Sequence, residues 1–279
     1  MKLFLLALFC LLTFAAAVEP IQLYYHESAG IAEAESIRAA ELAADFDGSR
    51  IVGGSAASLG QYPYMCGLVI RLNSGATSVC GSSLLSNTRL VTAAHCWWDG
   101  RNQARQFTVV CGSIRLFSGG TRINTNRVQM HGSYSHSTLR NDIAIISTNN
   151  INYNNNIGRI QLASGSNNFA GSWAHASGFG RQRDSAGITN NQVKHHVRLQ
   201  VITNAVCRNT FGSAIVDSTL CTSGAGNVGT CSGDSGGPLV TNNHLIGVTS
   251  FVAAAGCQRG MPAGFARVTS FESWIRGRL

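Results

Sequence analysis

The sequence predicts an all-β protein that ends in a short helix. Short runs of alternating apolar and polar residues recur along the chain, and glycine-rich turn segments separate them. The 279 residues include 31 glycines, and few stretches have helical periodicity. In the first half the strand candidates are residues 66–72, 89–94 and 107–111; in the second they are residues 197–202, 238–241 and 245–250. Many short strands at this spacing form a sandwich or barrels. The asparagine-rich run from Asn149 to Asn156 reads as an exposed loop between two halves. At the end of the chain, Thr269 and Glu272 have capping-box spacing, and Phe271, Trp274 and Ile275 share a helical face. A short C-terminal helix is expected there.

The first 50 residues have a different character. Residues 1–17 carry Lys2, an apolar core and small residues at Ala15, Ala16 and Ala17, the pattern of a secretory signal peptide. That core is too short to span a bilayer, and no later apolar run approaches the roughly 20 residues a spanning helix needs. The product is expected to be secreted and extracellular, in a compartment such as a gut lumen, with no membrane partner. Residues 18–50 contain seven acidic groups against Arg38 and Arg50. Residues 29–42 are rich in helix formers but poor in apolar surface, so 18–50 reads as a detachable, partly ordered segment. Composition changes around Arg50-Ile51-Val52-Gly53-Gly54, where a cut is expected.

Charge and cysteine content narrow the function classes. From Ile51 onward, six acids face seventeen arginines and one lysine. The arginines are scattered singly, with no basic helix or aromatic-interleaved stripe, which argues against nucleic acid as a partner. Lys194 is the only lysine after the signal peptide. A guanidinium stays charged at pH values where an ammonium does not, so an alkaline working medium is one reading. Selection against lysine-directed proteolysis and compositional drift are the others. Eight of the nine cysteines remain once Cys10 leaves with the signal, an even number suited to disulfides in an oxidising compartment. Their spacing has no zinc-knuckle pattern.

Chemistry concentrates in Ala93-Ala94-His95-Cys96, Asn141-Asp142-Ile143-Ala144 and Gly233-Asp234-Ser235-Gly236-Gly237-Pro238. A serine hydroxyl is a weak nucleophile on its own; acyl transfer needs an imidazole to take its proton and an acid to orient the imidazole. The serine segment also satisfies the Gly-x-Ser-x-Gly elbow of α/β-hydrolases. Chain order excludes that alternative, since His, Asp and Ser follow in that order and Pro238 leads into a strand.

Together with Ile51-Val52-Gly53-Gly54, these motifs resemble the chymotrypsin (trypsin-like) family of serine endopeptidases over residues 51–279, and insect digestive chymotrypsins and elastases within it. The resemblance implies two packed antiparallel β-barrels, at about 51–160 and 161–279. It makes Ser235 the nucleophile, His95 the general base and acid, and Asp142 the carboxylate that fixes the His95 tautomer, the roles of the general template for this same family. Backbone N–H groups of Gly233 and Ser235 would form the oxyanion hole. Cleavage at Arg50-Ile51 by a trypsin-like protease would release an ammonium that pairs with Asp234. The implied disulfides are Cys80–Cys96, Cys207–Cys221 and Cys231–Cys257. Cys66 and Cys111 remain, as a fourth bridge or as buried thiols. With no cysteine linking it, the cut segment would dissociate.

Gly229 corresponds to the base of the primary specificity pocket, and Val252 and Ala263 to its walls. Without an acid at Gly229, a buried basic side chain would be unpaired. Val252 narrows the mouth, so small and medium aliphatic side chains are expected before the scissile bond. Gly229 and Ala263 leave a chymotrypsin-like preference open. The backbone of Ser250 to Val252 would pair with substrate as an added strand. The loop from Ser113 to Arg122 lacks the carboxylates of the family's calcium loop, so neither metal nor cofactor is expected. Protein and peptide substrates and protein protease inhibitors are the implied partners of a monomer. A non-catalytic homologue serving as a binding module is the rival reading.

Overall fold

The computed structural model describes Val18 and residues 20–43, 55–181 and 193–279. The expected signal peptide, Arg50 and Ile51 lie outside the described residues. Residues Ile31–Ala43 form helix α1, preceded by a wider helical turn at His26–Gly30, and Ser55–Ala56 form the two-residue strand β1.

Seven strands then build the first half: β2 (Met65–Leu72), β3 (Thr77–Ser86), β4 (Arg89–Thr92), β5 (Ala104–Cys111), β6 (Thr121–Thr125), β7 (Val128–Met130) and β8 (Ala144–Ser147). They pair antiparallel in the order β6-β5-β2-β3-β4-β8-β7, a sheet curled around Leu68, Ile70, Leu84, Leu90, Phe107 and Ile146. Almost every residue of β3 is buried on both faces. One face fills the curled sheet, and small residues let the other lie against the second half.

The second half contains β9 (Gln161–Leu162), β10 (Trp173–Gly178), β11 (His195–Ile202), helix α2 (Asn204–Phe211), β12 (Thr219–Thr222), β13 (Pro238–Thr241), β14 (His244–Phe251), β15 (Ala263–Arg267) and helix α3 (Val268–Arg276). Strands β11-β10-β13-β14-β15-β12 follow one another, and β12 returns to β11 through Val201↔Thr222 and Ile202↔Cys221. That pairing closes a six-stranded barrel over Leu199, Leu220, Leu239, Ile246 and Phe265. The short β9 runs parallel to β14, an exception to the antiparallel rule. The expected all-β architecture of two packed barrel-like sheets is present, the first curled and the second closed.

Helix α3 lays Val268, Phe271 and Ile275 onto the first half's core. Its expected capping box is not formed: the helix starts at Val268, no side chain caps it, and Glu272 instead pairs with Arg276 one turn on. The residue before it, Arg267, ends β15 and spends its guanidinium on the carbonyls of Asn168, Asp217 and Thr219 and the Asn204 side chain. Helix α2 was not legible as an element; the Thr203 side chain caps it by accepting from Val206 N–H at 3.3 Å.

Among the described residues four disulfides are present: Cys66–Cys111, Cys80–Cys96, Cys207–Cys221 and Cys231–Cys257. Cys66 and Cys111 lie on neighbouring strands β2 and β5, with Cα atoms 4.4 Å apart. They are bridged, not free thiols.

Residues 20–43 are ordered and packed against the first half, where the sequence reads as only partly ordered. Helix α1 buries Ala34 and Ile37 against Met65, Val79, Val110, Leu116 and Phe179. Burying Ile37 contributes about 2–3 kcal/mol, and the alanines allow close approach with little apolar area. Gly30 is required where the turn meets β3: a Cβ there would lie 2.1 Å from Ser78 Oγ.

Candidate active site

His95 sits on a single helical turn, Ala94–Cys96, directly after β4, and the Cys80–Cys96 disulfide ties that turn to β3. Asp142 arrives from a bend before β8, where Asn141 takes a φ of 54° and its side-chain amide donates to Ser133 O at 2.9 Å. The Asp142 carboxylate accepts from the His95 backbone N–H at 2.9 Å on Oδ1 and faces His95 Nδ1 at 2.7 Å on Oδ2. The Ser250 hydroxyl donates to the same Oδ2 at 2.6 Å. His95 and Asp142 are 2 % and 1 % exposed, so this network is shielded from water. With the carboxylate accepting from Nδ1–H, the imidazole is oriented with Nε2 toward the cleft between the two sheets.

Ser235 occupies that cleft on a turn entering β13. The turn is pinned from both halves: Ser235 O accepts from Gly81 N–H of β3 at 2.7 Å, and Gly236 N–H donates to Thr249 O of β14 at 2.8 Å. Gly233 has a φ of +98°, and a Cβ there would lie 2.7 Å from Gly180 Cα, so glycine is needed for both conformation and space. Asp234 turns inward and accepts from Gly180 N–H at 2.9 Å and Cys231 N–H at 3.0 Å. Burial pushes its carboxyl up to about 6 despite those two bonds.

The cleft thus gathers His95, Ser235, Ser250 and Val252, with Asp142 behind His95 and Ser250. Gly229 opens on an adjacent cavity of ≈ 50 Å³, with Val228, Thr230, Cys231 and Asp234. Ala263 is buried in a cluster that also includes Val228 and Val252. The sequence implies for Ser250 only a substrate-pairing backbone. Its hydroxyl is also a partner of Asp142, which a single serine in a strand does not announce.

The profile of the trypsin family matches residues 51–275. The chain belongs to the trypsin family. It is 38 % identical over 233 residues to the collagenase of Hypoderma lineatum, covering 81 % of this chain and 86 % of that one. Serine protease 1 of Drosophila melanogaster is also 38 % identical, covering 81 % and 84 %, and the alkaline trypsin A of Manduca sexta 37 %, covering 81 % and 90 %. The solved structure of HL collagenase superposes with a TM-score of 0.75 at 37 % identity, over 81 % of this chain and 97 % of that one. The His95–Asp142 pairing is that of a trypsin-family serine endopeptidase.

The cleft of this trypsin-family chain also holds residues that sequence reasoning did not assign to it, all from the segment before the expected cut. Gln22 N–H donates to Val252 O at 3.3 Å, Ala254 N–H donates to Pro20 O at 2.9 Å, and Ile21 pairs antiparallel with Ala253. The Tyr25 ring lies on the His95 imidazole at 4.9 Å between centroids, and its hydroxyl donates to Val79 O at 2.7 Å. Burial pushes that phenol well above its ordinary pKa, with Glu33 and Asp234 adding to the shift and Gly233 and Ser235 opposing it. His95 Nε2 is buried and has no hydrogen-bond partner among the described residues. His26 donates its backbone N–H to Asp99 at 2.9 Å, and its Nδ1 lies 2.8 Å from Ser78 Oγ. Glu33, fully buried, meets Arg181 at 2.5 Å. Glu41 accepts from the backbone N–H groups of Leu116 and Phe117, so the loop read against a calcium site holds a carboxylate instead.

Proposed function

We propose that this trypsin-family endopeptidase is secreted as a zymogen. Residues 1–17 are its signal peptide, 18–50 its activation segment and 51–279 the protease. The observation that carries the catalytic reading is the position of Ser235 in one cleft with His95, whose Nδ1 faces Asp142. In the cut enzyme Ser235 Oγ attacks the scissile carbonyl while His95 Nε2 takes its proton. Asp142 stabilises the imidazolium that forms, and His95 then returns the proton to the leaving amine. Water reverses the sequence to release the acyl group. The N–H groups of Gly233 and Ser235 stabilise the oxyanion, which exists only in the transition state.

Cleavage at Arg50-Ile51 by a trypsin-like protease supplies the ammonium that meets Asp234. An ammonium and a carboxylate in a desolvated site stabilise the turn only as a pair, which makes the Gly233–Ser235 geometry conditional on the cut. Specificity is non-basic, because Gly229 offers no charge to pair with Lys or Arg. Val252 favours aliphatic side chains, leucine included, over Phe and Tyr. Dietary proteins are the fitting substrates and protein protease inhibitors the fitting antagonists. Cutting at Arg50 and profiling hydrolysis across peptides that differ only before the scissile bond tests this. Preference for Leu, Val or Ala supports it; preference for Lys or Arg contradicts it.

A further inference from the structure

The segment from Pro20 to Ala43 runs into the cleft where a substrate would lie and makes three kinds of contact there. Its first residues pair antiparallel with Val252 to Ala254, a stretch that overlaps at Val252 the Ser250 to Val252 edge expected to receive substrate backbone. At Tyr24 the chain takes a φ of 54° and turns away, with the Tyr24 ring beneath the Arg101 guanidinium at 3.7 Å. Tyr25 then enters the cleft lined by His95 and Ser235 with a side chain, so a phenol ring, not a peptide carbonyl, lies beside the imidazole. The residual space between segment and cleft is ≈ 30 Å³, too little for a substrate peptide. Beyond the cleft, Gly30 against Ser78, Ile37 in its apolar cluster, Glu33 against Arg181 and Glu41 on the Leu116–Phe117 amides anchor the rest.

We infer that residues 20–43 are a cleft-blocking inhibitor of this protease, one that stays bound after the cut at Arg50 and competes with peptide substrates until it is displaced. The inference rests on the reading of Ser235 and His95 as the catalytic pair. The contacts named above are noncovalent and are made by residues 20–43, so cutting the Arg50–Ile51 bond does not by itself remove them. The strand pairing mimics a substrate, and the turn at Tyr24 withholds a cleavable bond from Ser235. Activation therefore has two stages, bond cleavage and loss of the segment. The segment is also a trans-acting ligand of the mature cleft.

The test uses the chain from Val18 to Leu279, cut at Arg50-Ile51 and assayed on a small peptide anilide with leucine before the scissile bond. Activity is compared before and after the segment is removed by size exclusion, and synthetic peptide 18–50 is then added back. The expected results are a gain of about tenfold or more on removal, and a rise in KM at unchanged kcat on add-back. Peptides with Tyr25→Ala or Gly30→Val should be at least about tenfold weaker; using peptide variants leaves the protease fold untouched. Full activity with the segment still bound, no effect of added peptide, or variants as potent as the wild type would overturn the inference. An organophosphonate label on Ser235 in the segment-free enzyme keeps the two readings apart. A labelled enzyme indifferent to the peptide refutes the inhibitor alone, whereas an unlabelled one refutes the catalytic reading.

Discussion

The Ser250 hydroxyl donates to Asp142 Oδ2 at 2.6 Å, the same oxygen that faces His95 Nδ1 at 2.7 Å. One carboxylate oxygen thus serves both β14, which borders the cleft, and the imidazole. Hydrogen bonds to charged groups contribute about 1.5–3 kcal/mol. Ser250→Ala is therefore expected to lower kcat by about tenfold or more in the cut, segment-free enzyme, with KM little changed. Steady-state kinetics on one small substrate checks this, and an unchanged kcat would remove Ser250 from the positioning network.

Docking of the 20–43 segment has two pH-sensitive groups of opposite sign. Burial pushes the Glu33 carboxyl from 4.5 up to about 7, while Arg181 opposes and Asp234 reinforces the shift. A raised carboxyl contributes to docking fully below its free value and loses that contribution as pH rises through about 7. His26 is pushed down to about 4 by burial, with Asp99 opposing and His95 reinforcing. It contributes above 6.5 and loses that contribution as pH falls through about 4. Between about pH 4.5 and 6.5 the two offset each other. Replacing His26 with Asn in the peptide should leave affinity falling from pH 5 to about 7 and level above that, and replacing Glu33 with Gln as well should remove that fall. Inhibition constants measured across this range decide it; an unchanged slope in the His26→Asn/Glu33→Gln peptide contradicts the assignment.

Lys194 is buried, donates to Met65 O at 3.3 Å and lies 5.8 Å from the Phe179 ring centroid. Burial lowers its pKa from 10.5 to about 8. A depressed ammonium makes the folded state release its proton before the unfolded state does, so its burial costs least at high pH. Stability should rise relative to Lys194→Met between pH 8 and 10.5. Denaturant midpoints of both proteins across that range check this, and a constant difference would contradict it.

The Cys66–Cys111 bridge joins residues 45 apart in sequence. Removing a bridge over such a loop costs about 2–4 kcal/mol. A Cys66→Ala/Cys111→Ala double variant should lose that much in urea unfolding with kcat retained, because neither residue touches His95 or Ser235. An unaltered midpoint would show the bridge to be energetically idle.

His95, Asp142 and Ser235 were legible in the sequence because acyl transfer fixes residue type and the family fixes local wording around each. The strands of both halves were legible from alternation, and their pairing came with the resemblance. The docking of residues 20–43 was not. Helix α1 hides its buried face behind alanines, with Ile37 the large apolar member, and much of the remaining contact is made by backbone groups, Glu33 and Glu41. Acidic side chains in an exposed-looking helix read as solvated until Arg181 and the Leu116–Phe117 amides are brought to them. Tyr25 had no local signal either, since its role depends on residues 54 or more positions away.

The central claim, that Ser235 is the nucleophile of a protease activated at Arg50, is tested most directly by one titration. The Val18–Leu279 chain is cut at Arg50-Ile51, freed of the segment, treated with an organophosphonate and mapped by mass spectrometry. One adduct on the peptide carrying Ser235, with activity lost in proportion, is the expected result. Full activity without an adduct, or an adduct elsewhere, would contradict it.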